Sequence, residues 1–231
     1  MGRKELGIQD MNVIKALAQR KSTRAFLSTE VEPEKINTIL DAARHAPSGT
    51  NTQPWQVAVV TGEAKIKLQT KLEEAFRAGD KGKADYTYYP DKWQQPYASR
   101  RMECGLLMYK TLGIKREEKE RQLNQWAANY RAFDAPVLLL FFMDDVMQTG
   151  SYIDYGMFLQ SVMLAAVDQG LASCPQASVA DYPEIIKAEF GYAENTVLLC
   201  GMALGYEDKA ALINSYRTSR EDVDSFTRYF K

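Results

Sequence analysis

The chain has 231 residues, with 29 Lys and Arg against 30 Asp and Glu, and a formal net charge of −1. Apolar residues make up 45 % of it, enough for a buried core, and the balanced charge argues against a protein whose main ligand is a nucleic-acid backbone. Its three cysteines are far apart and its only histidine is His45, so neither a disulfide framework nor a common metal site is expected.

No segment resembles a secretory leader, and none approaches the roughly 20 apolar residues of a membrane span. No internal repeat or long linker divides the sequence. We therefore expect a cytoplasmic globular protein that binds no nucleic acid, membrane or metal. We also expect a single domain over residues 1–231.

Hydrophobic periodicity predicts the elements of the first half of the chain. In order, they are a helix at 11–18, a polar basic run at 19–24, a helix at 33–45, a strand at 55–61 and a helix at 64–78. Pro33 suits the first turn of the second helix, and Pro47 restricts the residue before it, which places the end of that helix near His45. Gly79 is a suitable stop for the third helix.

The second half continues to alternate between helices and strands. In order, we predict an irregular segment at 80–97, helices at 99–112 and 116–129, a strand at 137–142, a helix at 152–169, a connection at 170–178, a helix at 182–190 and a strand at 196–204. Residues 137–142 are all apolar, which is typical of a central strand covered on both faces. The irregular segment holds four Tyr and one Trp, and we interpret it as a possible active-site lid.

Four segments carry residue types that could bind a ligand. They are Arg20-Lys21-Ser22-Thr23-Arg24, the polar loop between Pro47 and Trp55, the run from Gly170 to Ser178, and Arg217-Thr218-Ser219-Arg220. The first and last could hold a phosphate, since guanidinium groups and hydroxyls match its oxygens, or could be solvated surface runs. The polar loop could be a turn or a site for a planar polar ligand. The Gly170 run could be a simple helix stop, and its Cys174 has no histidine nearby in sequence, which favours a structural thiol over a nucleophile.

Together and in this order, the four segments resemble the FMN-dependent nitroreductase family over nearly the whole chain. The most specific part is the basic run followed by Pro47-Ser48-x-x-Asn51-x-Gln53-Pro54-Trp55. Segments 88–97, 100–101, 104–105 and 129–136 are similar to the branch that includes nitroaromatic and nitrobenzoate reductases.

The resemblance implies an α+β fold, a nitroreductase-like central sheet that is mostly antiparallel and flanked by helices. It also implies an intertwined homodimer with FMN at the subunit interface and exchange of the C-terminal tail, residues 207–231. The cofactor-binding residues it implies are Arg20, Lys21, Ser22, Arg24, Pro47, Ser48, Gly49, Asn51, Pro175, Gln176, Ala177, Arg217 and Arg220. Arg20, Ser22 and Arg220 would hold the phosphate end, Lys21 would contribute backbone, and Arg24 would approach the pyrimidine edge, where reduction places negative charge. Residues 47–51 would come from the partner subunit.

The activity implied is reduction of nitroaromatic compounds by a ping-pong mechanism, in which NAD(P)H and a small aromatic acceptor use one place in turn. The candidate substrate contacts are Tyr88, Tyr89, Trp93, Tyr97, Arg101 and Phe133. Relatives differ in the loop at Pro175–Ala177, so the group that addresses the flavin N5 stays open and no catalytic acid or base is named. Reductive dehalogenation, quinone or enone reduction, and flavin storage or sensing without turnover are the alternatives.

Overall fold

The structure is a computed structural model that describes residues 11–231, so the first ten residues of the predicted domain lie outside the described part. The helices are α1 (Val13–Gln19), α2 (Pro33–Ala43), α3 (Gly62–Arg77), α4 (Tyr97–Thr111), α5 (Lys119–Ala127), α6 (Thr149–Asp168) and α7 (Pro183–Phe190). The strands are β1 (Gln56–Thr61), β2 (Val137–Asp144), β3 (Ala172–Gln176) and β4 (Thr196–Gly205).

The four strands form one antiparallel sheet in the order β1-β2-β4-β3. Along β2, Leu139 and Phe141 face one buried cluster while Leu138 and Leu140 face another, as the two-residue period of a strand requires. Both clusters are closed to solvent, so the prediction of a central strand covered on both faces is confirmed. The α+β class and the antiparallel sheet are confirmed as well.

Helices cover the two faces of the sheet. On one face α2 and α6 pack together against the cluster that includes Ile39 and Phe158. On the other, α3, α7 and the turn at Ala128–Asp134 pack against the cluster that includes Leu72 and Ile186. None of the helices in residues 11–231 is both long and apolar enough to cross a membrane.

A β-bulge interrupts the pairing of the two central strands. Phe141 pairs with Cys200 whereas Phe142 pairs with Leu198, which leaves Leu199 as the extra residue of β4. One extra residue reverses the alternation, so Leu198 faces one cluster while Leu199 and Cys200 both face the other. The bulge therefore decides which β4 side chains lie beside α6.

The predicted elements agree with the structure except in one segment. Residues 170–178 were predicted to be a connection, and this prediction is wrong, because residues 172–176 form the edge strand β3. The sequence Ala-Ser-Cys-Pro-Gln lacks β-branched residues and contains Pro175, which only an edge strand accommodates. Pairing with β4, rather than local propensity, makes this segment a strand.

Candidate cofactor site

Two segments nearly 200 residues apart in sequence form the walls of one cavity. The cavity has a volume of about 350 Å³. Its lining residues are Leu17, Ala18, Arg20, Lys21, Ser22, Arg24, Cys104, Tyr216, Arg217, Thr218 and Arg220. The structure thus brings together the two basic segments singled out in the sequence.

The side chain of Asn214 joins these two segments. Its Oδ1 accepts a hydrogen bond from the Arg24 backbone N–H at 2.8 Å, and its Nδ2 donates to the carbonyls of Ala25 and Asp208, each at 2.9 Å. Asn214 is 5 % exposed, so water cannot replace these partners. Backbone bonds from Leu27 to Tyr206 and from Asp208 to Ala25 extend the same contact.

The arginines that line the cavity have no carboxylate of residues 11–231 beside them in its wall. Among the residues that the structure describes, no Asp or Glu lines this cavity. Burial lowers the pKa of Arg20, and the nearby guanidinium groups of Arg220 and Arg217 lower that pKa further. Arginines held together without an acid make a site that an anion stabilises.

The individual cations differ in what they already contact. The Lys21 Nζ pairs with Glu207 at 2.7 Å and donates to the Asn214 carbonyl at 2.6 Å, so two of its three N–H groups already have partners. Arg217 donates to the carbonyls of Ala18, Gln19 and Arg20 at the end of α1. Arg217 therefore lines the cavity but holds the Arg20 loop in place instead of presenting free donors.

A second, larger cavity lies where the Gly170–Ser178 segment ends. It has a volume of about 640 Å³. Its walls are Tyr86, Thr87, Tyr88, Thr149, Tyr152, Tyr155, Gly156, Leu159, Pro175, Gln176, Ala177, Leu199 and Cys200. The apolar and aromatic walls with a few polar groups suit a flat organic ring.

The Gln176 side chain, in the wall of this cavity, is held by a hydrogen bond to the backbone. Its Nε2 donates to the Asn129 carbonyl at 2.5 Å, and its Oε1 is buried without a partner among the described residues. The turn that supplies this carbonyl continues into Ala132 and Phe133, both with positive φ near 53°. Because such backbone is strained in non-glycine residues, surrounding contacts must hold it. Arg131 does so through two 2.9 Å bonds to the Glu73 carboxylate.

The aromatic residues of the 80–97 segment form a chain of ring contacts. Tyr88 and Tyr89 lie 4.6 Å apart between centroids, and Tyr89 lies 5.6 Å from Trp93. The Arg101 guanidinium sits 5.2 Å over the Trp93 ring, a cation–π geometry. Of these residues, Tyr88 lines the large cavity.

Two predicted substrate residues lie elsewhere. Tyr97 begins α4, is 59 % exposed and contacts the neighbouring Arg100. Phe133 is 4 % exposed and packs in the core beside Leu72. The sequence run that contains Phe133 supports the sheet and lines neither cavity.

The polar loop after α2 is exposed and lies apart from the arginine cavity in this chain. Its Gly49 N–H donates to the Asp154 carboxylate of α6 at 3.1 Å, and the Ser48 hydroxyl accepts from the Gln53 N–H at 3.0 Å. Thr50, Asn51 and Gln53 have positive φ. The loop is therefore held in an unusual shape, with Pro47 and Asn51 facing outward.

Sequence reasoning missed several residues that build the two cavities. Asn214, Tyr216 and Tyr152 carry no motif, and only their contacts across the fold reveal them. Tyr86 lay within the predicted lid, but its half-buried position against the sheet was not foreseen. The small polar residues at 50–53 are a sequence signal for the positive φ of Thr50, Asn51 and Gln53.

Comparison with known proteins gives a consistent result. The model of the nitroreductase family matches residues 17–206. A 4-nitrobenzoate reductase of Pseudomonas putida is 37 % identical over 213 residues, covering 92 % of this chain and 93 % of the relative. A chloronitrobenzene nitroreductase of Comamonas testosteroni is 34 % identical over 214 residues, covering 92 % of this chain and 94 % of the relative.

Solved structures of similar sequence share the whole fold. The FMN- and NADPH-dependent nitroreductase NfnB of Sphigopyxis sp. strain HMH superposes with a TM-score of 0.93 at 37 % identity, over 96 % of this chain and 100 % of that one. The FMN-dependent nitroreductase NfnB of Mycobacterium smegmatis, solved in complex with NADPH, gives 0.89 at 32 % identity, over 95 % and 100 %.

Proposed function

We propose that this chain, which belongs to the nitroreductase family, is an FMN-dependent NAD(P)H oxidoreductase that reduces nitroaromatic compounds. The observation that carries the proposal is the arginine cavity, in which Arg20, Arg24 and Arg220 converge with no acid among the described lining residues. FMN supplies the redox chemistry when bound, by accepting a hydride from NAD(P)H and passing electrons to the acceptor.

The donor set fits the phosphate end of FMN. In this proposal the Arg20 and Arg220 guanidinium groups and the Ser22 hydroxyl bind the phosphate, which relieves the repulsion that lowers the pKa of Arg20. Arg24 stabilises negative charge at the pyrimidine edge of the ring. Pro175 and Gln176, which end the edge strand β3, and Ala177 directly after them would lie against the ring.

The large cavity suits both reaction partners in turn. The walls of this cavity are mostly apolar, and Tyr88 supplies a flat surface for an aromatic ring. NAD(P)H and the nitroarene would occupy it alternately, which is the structural basis of a ping-pong mechanism. Residues 80–97 serve as the lid, and Arg101 of α4 contacts this lid by lying 5.2 Å over the Trp93 ring.

We further propose a homodimer in which the 207–231 tail of each protomer embraces its partner. Three observations support it: Val223, Phe226 and Phe230 are 57 %, 71 % and 90 % exposed, β1 is an edge strand, and its Val59 is 43 % exposed. An added strand would cover that edge. The exposed Pro47–Asn51 loop would then complete the FMN site of the partner.

We also propose a single-domain organisation and a cytoplasmic location. The whole 231-residue chain would act as one FMN-binding domain. The cytoplasm suits it, because Cys104, Cys174 and Cys200 are all free thiols, as a reducing compartment maintains them.

The test is to purify the protein, record its visible spectrum and follow anaerobic bleaching by NADH and by NADPH. We expect a yellow protein that bleaches and is reoxidised by nitrobenzene. Faster reoxidation by quinones or halogenated tyrosines would favour the alternative reductase activities. A bound flavin that neither nucleotide reduces would indicate storage or sensing, and a colourless protein without affinity for FMN would refute the proposal.

A further inference from the structure

The β4 bulge is bonded to the base of the 80–97 segment. Asp85 accepts a hydrogen bond from the Leu198 backbone N–H at 2.9 Å, and the Tyr86 hydroxyl donates to the Leu199 carbonyl at 2.6 Å. Asp85 and Tyr86 thus supply hydrogen-bond partners for the backbone of Leu198 and Leu199, at the bulge in the pairing of β2 with β4.

Both residues are themselves held by other elements. Lys187 of α7 pairs with the Asp85 carboxylate at 3.0 Å, and these side chains are only 12 % and 21 % exposed. The Tyr86 ring lies 5.3 Å from the ring of Tyr152 on α6. Burial raises the pKa of Tyr86, so its hydroxyl stays protonated and keeps donating.

The rest of the segment lacks such bonds. Within the described chain, no hydrogen bond links residues 87–93 to any other part of the protein. Tyr88 and Tyr89 are 60 % and 56 % exposed, and ring contacts are what hold them: Tyr88 lies against Tyr86 and Tyr89, and Tyr89 lies against Trp93. The hydrogen-bonded base of the segment therefore ends at Tyr86.

We propose that Tyr86 is a positioning residue for the aromatic acceptor. Its hydroxyl bond to the bulge holds its ring as a stationary wall of the 640 Å³ cavity, and Tyr88 adjusts against the acceptor from the adjoining wall. The inference rests on the proposed function, since it assumes that the acceptor occupies this cavity. The β4 bulge, through its bond to the Tyr86 hydroxyl, then sets the position of the Tyr86 ring in the cavity wall.

The test compares Tyr86→Phe with Tyr182→Phe, a matched control. The Tyr182 hydroxyl also donates a 2.6 Å bond to a backbone carbonyl of the same segment, that of Asp80, but Tyr182 does not line the cavity. Each change removes one hydroxyl and its 2.6 Å bond to a backbone carbonyl, so both variants should lose thermal stability. Only Tyr86→Phe should alter acceptor binding.

The readout is the dissociation constant of nitrobenzene for the oxidised holoprotein without electron donor, measured by perturbation of the flavin absorption. We expect Tyr86→Phe to raise this constant by about tenfold, equivalent to about 1.4 kcal/mol, with unchanged affinity for FMN. In turnover, KM for nitrobenzene should rise in proportion while kcat stays within about twofold. Tyr182→Phe should leave both constants unchanged.

An unchanged constant in Tyr86→Phe, or an equal rise in both variants, would overturn the inference. If Tyr86→Phe does not fold, Asp85→Asn provides the decision, because it keeps an acceptor for Leu198 but loses the Lys187 ion pair. We expect that variant to bind nitrobenzene more weakly, and unchanged binding would contradict the inference. A colourless wild-type protein would contradict the proposed function as well, so the two failures are distinguishable.

Discussion

Replacing Asn214 with Ala should destabilise the fold and the arginine cavity together. The side chain makes three hydrogen bonds to backbone groups of Arg24, Ala25 and Asp208 and is 5 % exposed. At about 1 kcal/mol for each lost bond, the free energy of unfolding should fall by about 3 kcal/mol. For a chain of this size that corresponds to a Tm lower by about 6–12 °C.

The same change should weaken FMN binding, because the loop that it releases carries Ser22 and Arg24. We expect the dissociation constant of FMN to rise by about tenfold or more, measured by quenching of flavin fluorescence on titration with apoprotein. Urea denaturation of the apoprotein at fixed protein concentration measures the stability independently.

Ser215→Ala is the control for Asn214→Ala. Ser215 is exposed and its hydroxyl bonds only to the Leu212 carbonyl three residues earlier, so the change should cost less than about 0.5 kcal/mol. Asn214→Asp keeps the acceptor for Arg24 but places a buried carboxylate oxygen against the carbonyls of Ala25 and Asp208, so it should destabilise the fold at least as much as the Ala variant. If the free energy of unfolding of Asn214→Ala falls by less than about 1 kcal/mol and FMN binding is normal, Asn214 does not join the two segments.

Four further predictions test other parts of the proposal. Arg20→Met should raise the dissociation constant of FMN by at least about tenfold and reduce its dependence on salt, and an unchanged fluorescence titration would exclude Arg20 from the phosphate site. Trp93→Ala should raise KM for nitroarenes well above its effect on KM for NADPH, whereas equal effects in steady-state assays would refute the lid. Deleting residues after Thr218 should abolish both dimer and bound flavin, and a truncated protein that stays yellow and dimeric by light scattering would contradict tail exchange. Burial raises the pKa of Cys174 to about 11, so Cys174 stays a thiol at pH 8. Iodoacetamide should therefore label the exposed Cys104 alone in the folded apoprotein and all three cysteines after unfolding, as counted by mass spectrometry.

The bulge in β4 shows how a local irregularity can serve the site. By reversing the alternation it turns both Leu199 and Cys200 toward the large cavity. By freeing backbone groups it also provides the attachment for Asp85 and Tyr86. A regular strand would have supplied neither, which is why such bulges are treated as functional features.

The sequence by itself determined most elements and the family. The hydrophobic pattern was sufficient for α2, α6 and β2. The apolar residues of α2 repeat at the helical interval, α6 is a long apolar segment that Gly170 ends, and β2 is a short run of apolar residues alone. The motifs at Arg20–Arg24 and Pro47–Trp55 identified the family because they lie on loops, where residue identity reflects binding more than packing.

Tertiary structure decided what depends on contacts between distant residues. β3 is a strand only through its pairing with β4, and Phe133 is buried only because the turn around it packs on the core. The two basic segments meet because Asn214, just before Arg217 in sequence, is buried and bonds to the backbone of Arg24 at the end of the first segment. No local pattern encodes that meeting. A sequence specifies local propensity directly, whereas the pairing of buried polar groups across the fold is settled only when the core closes around them.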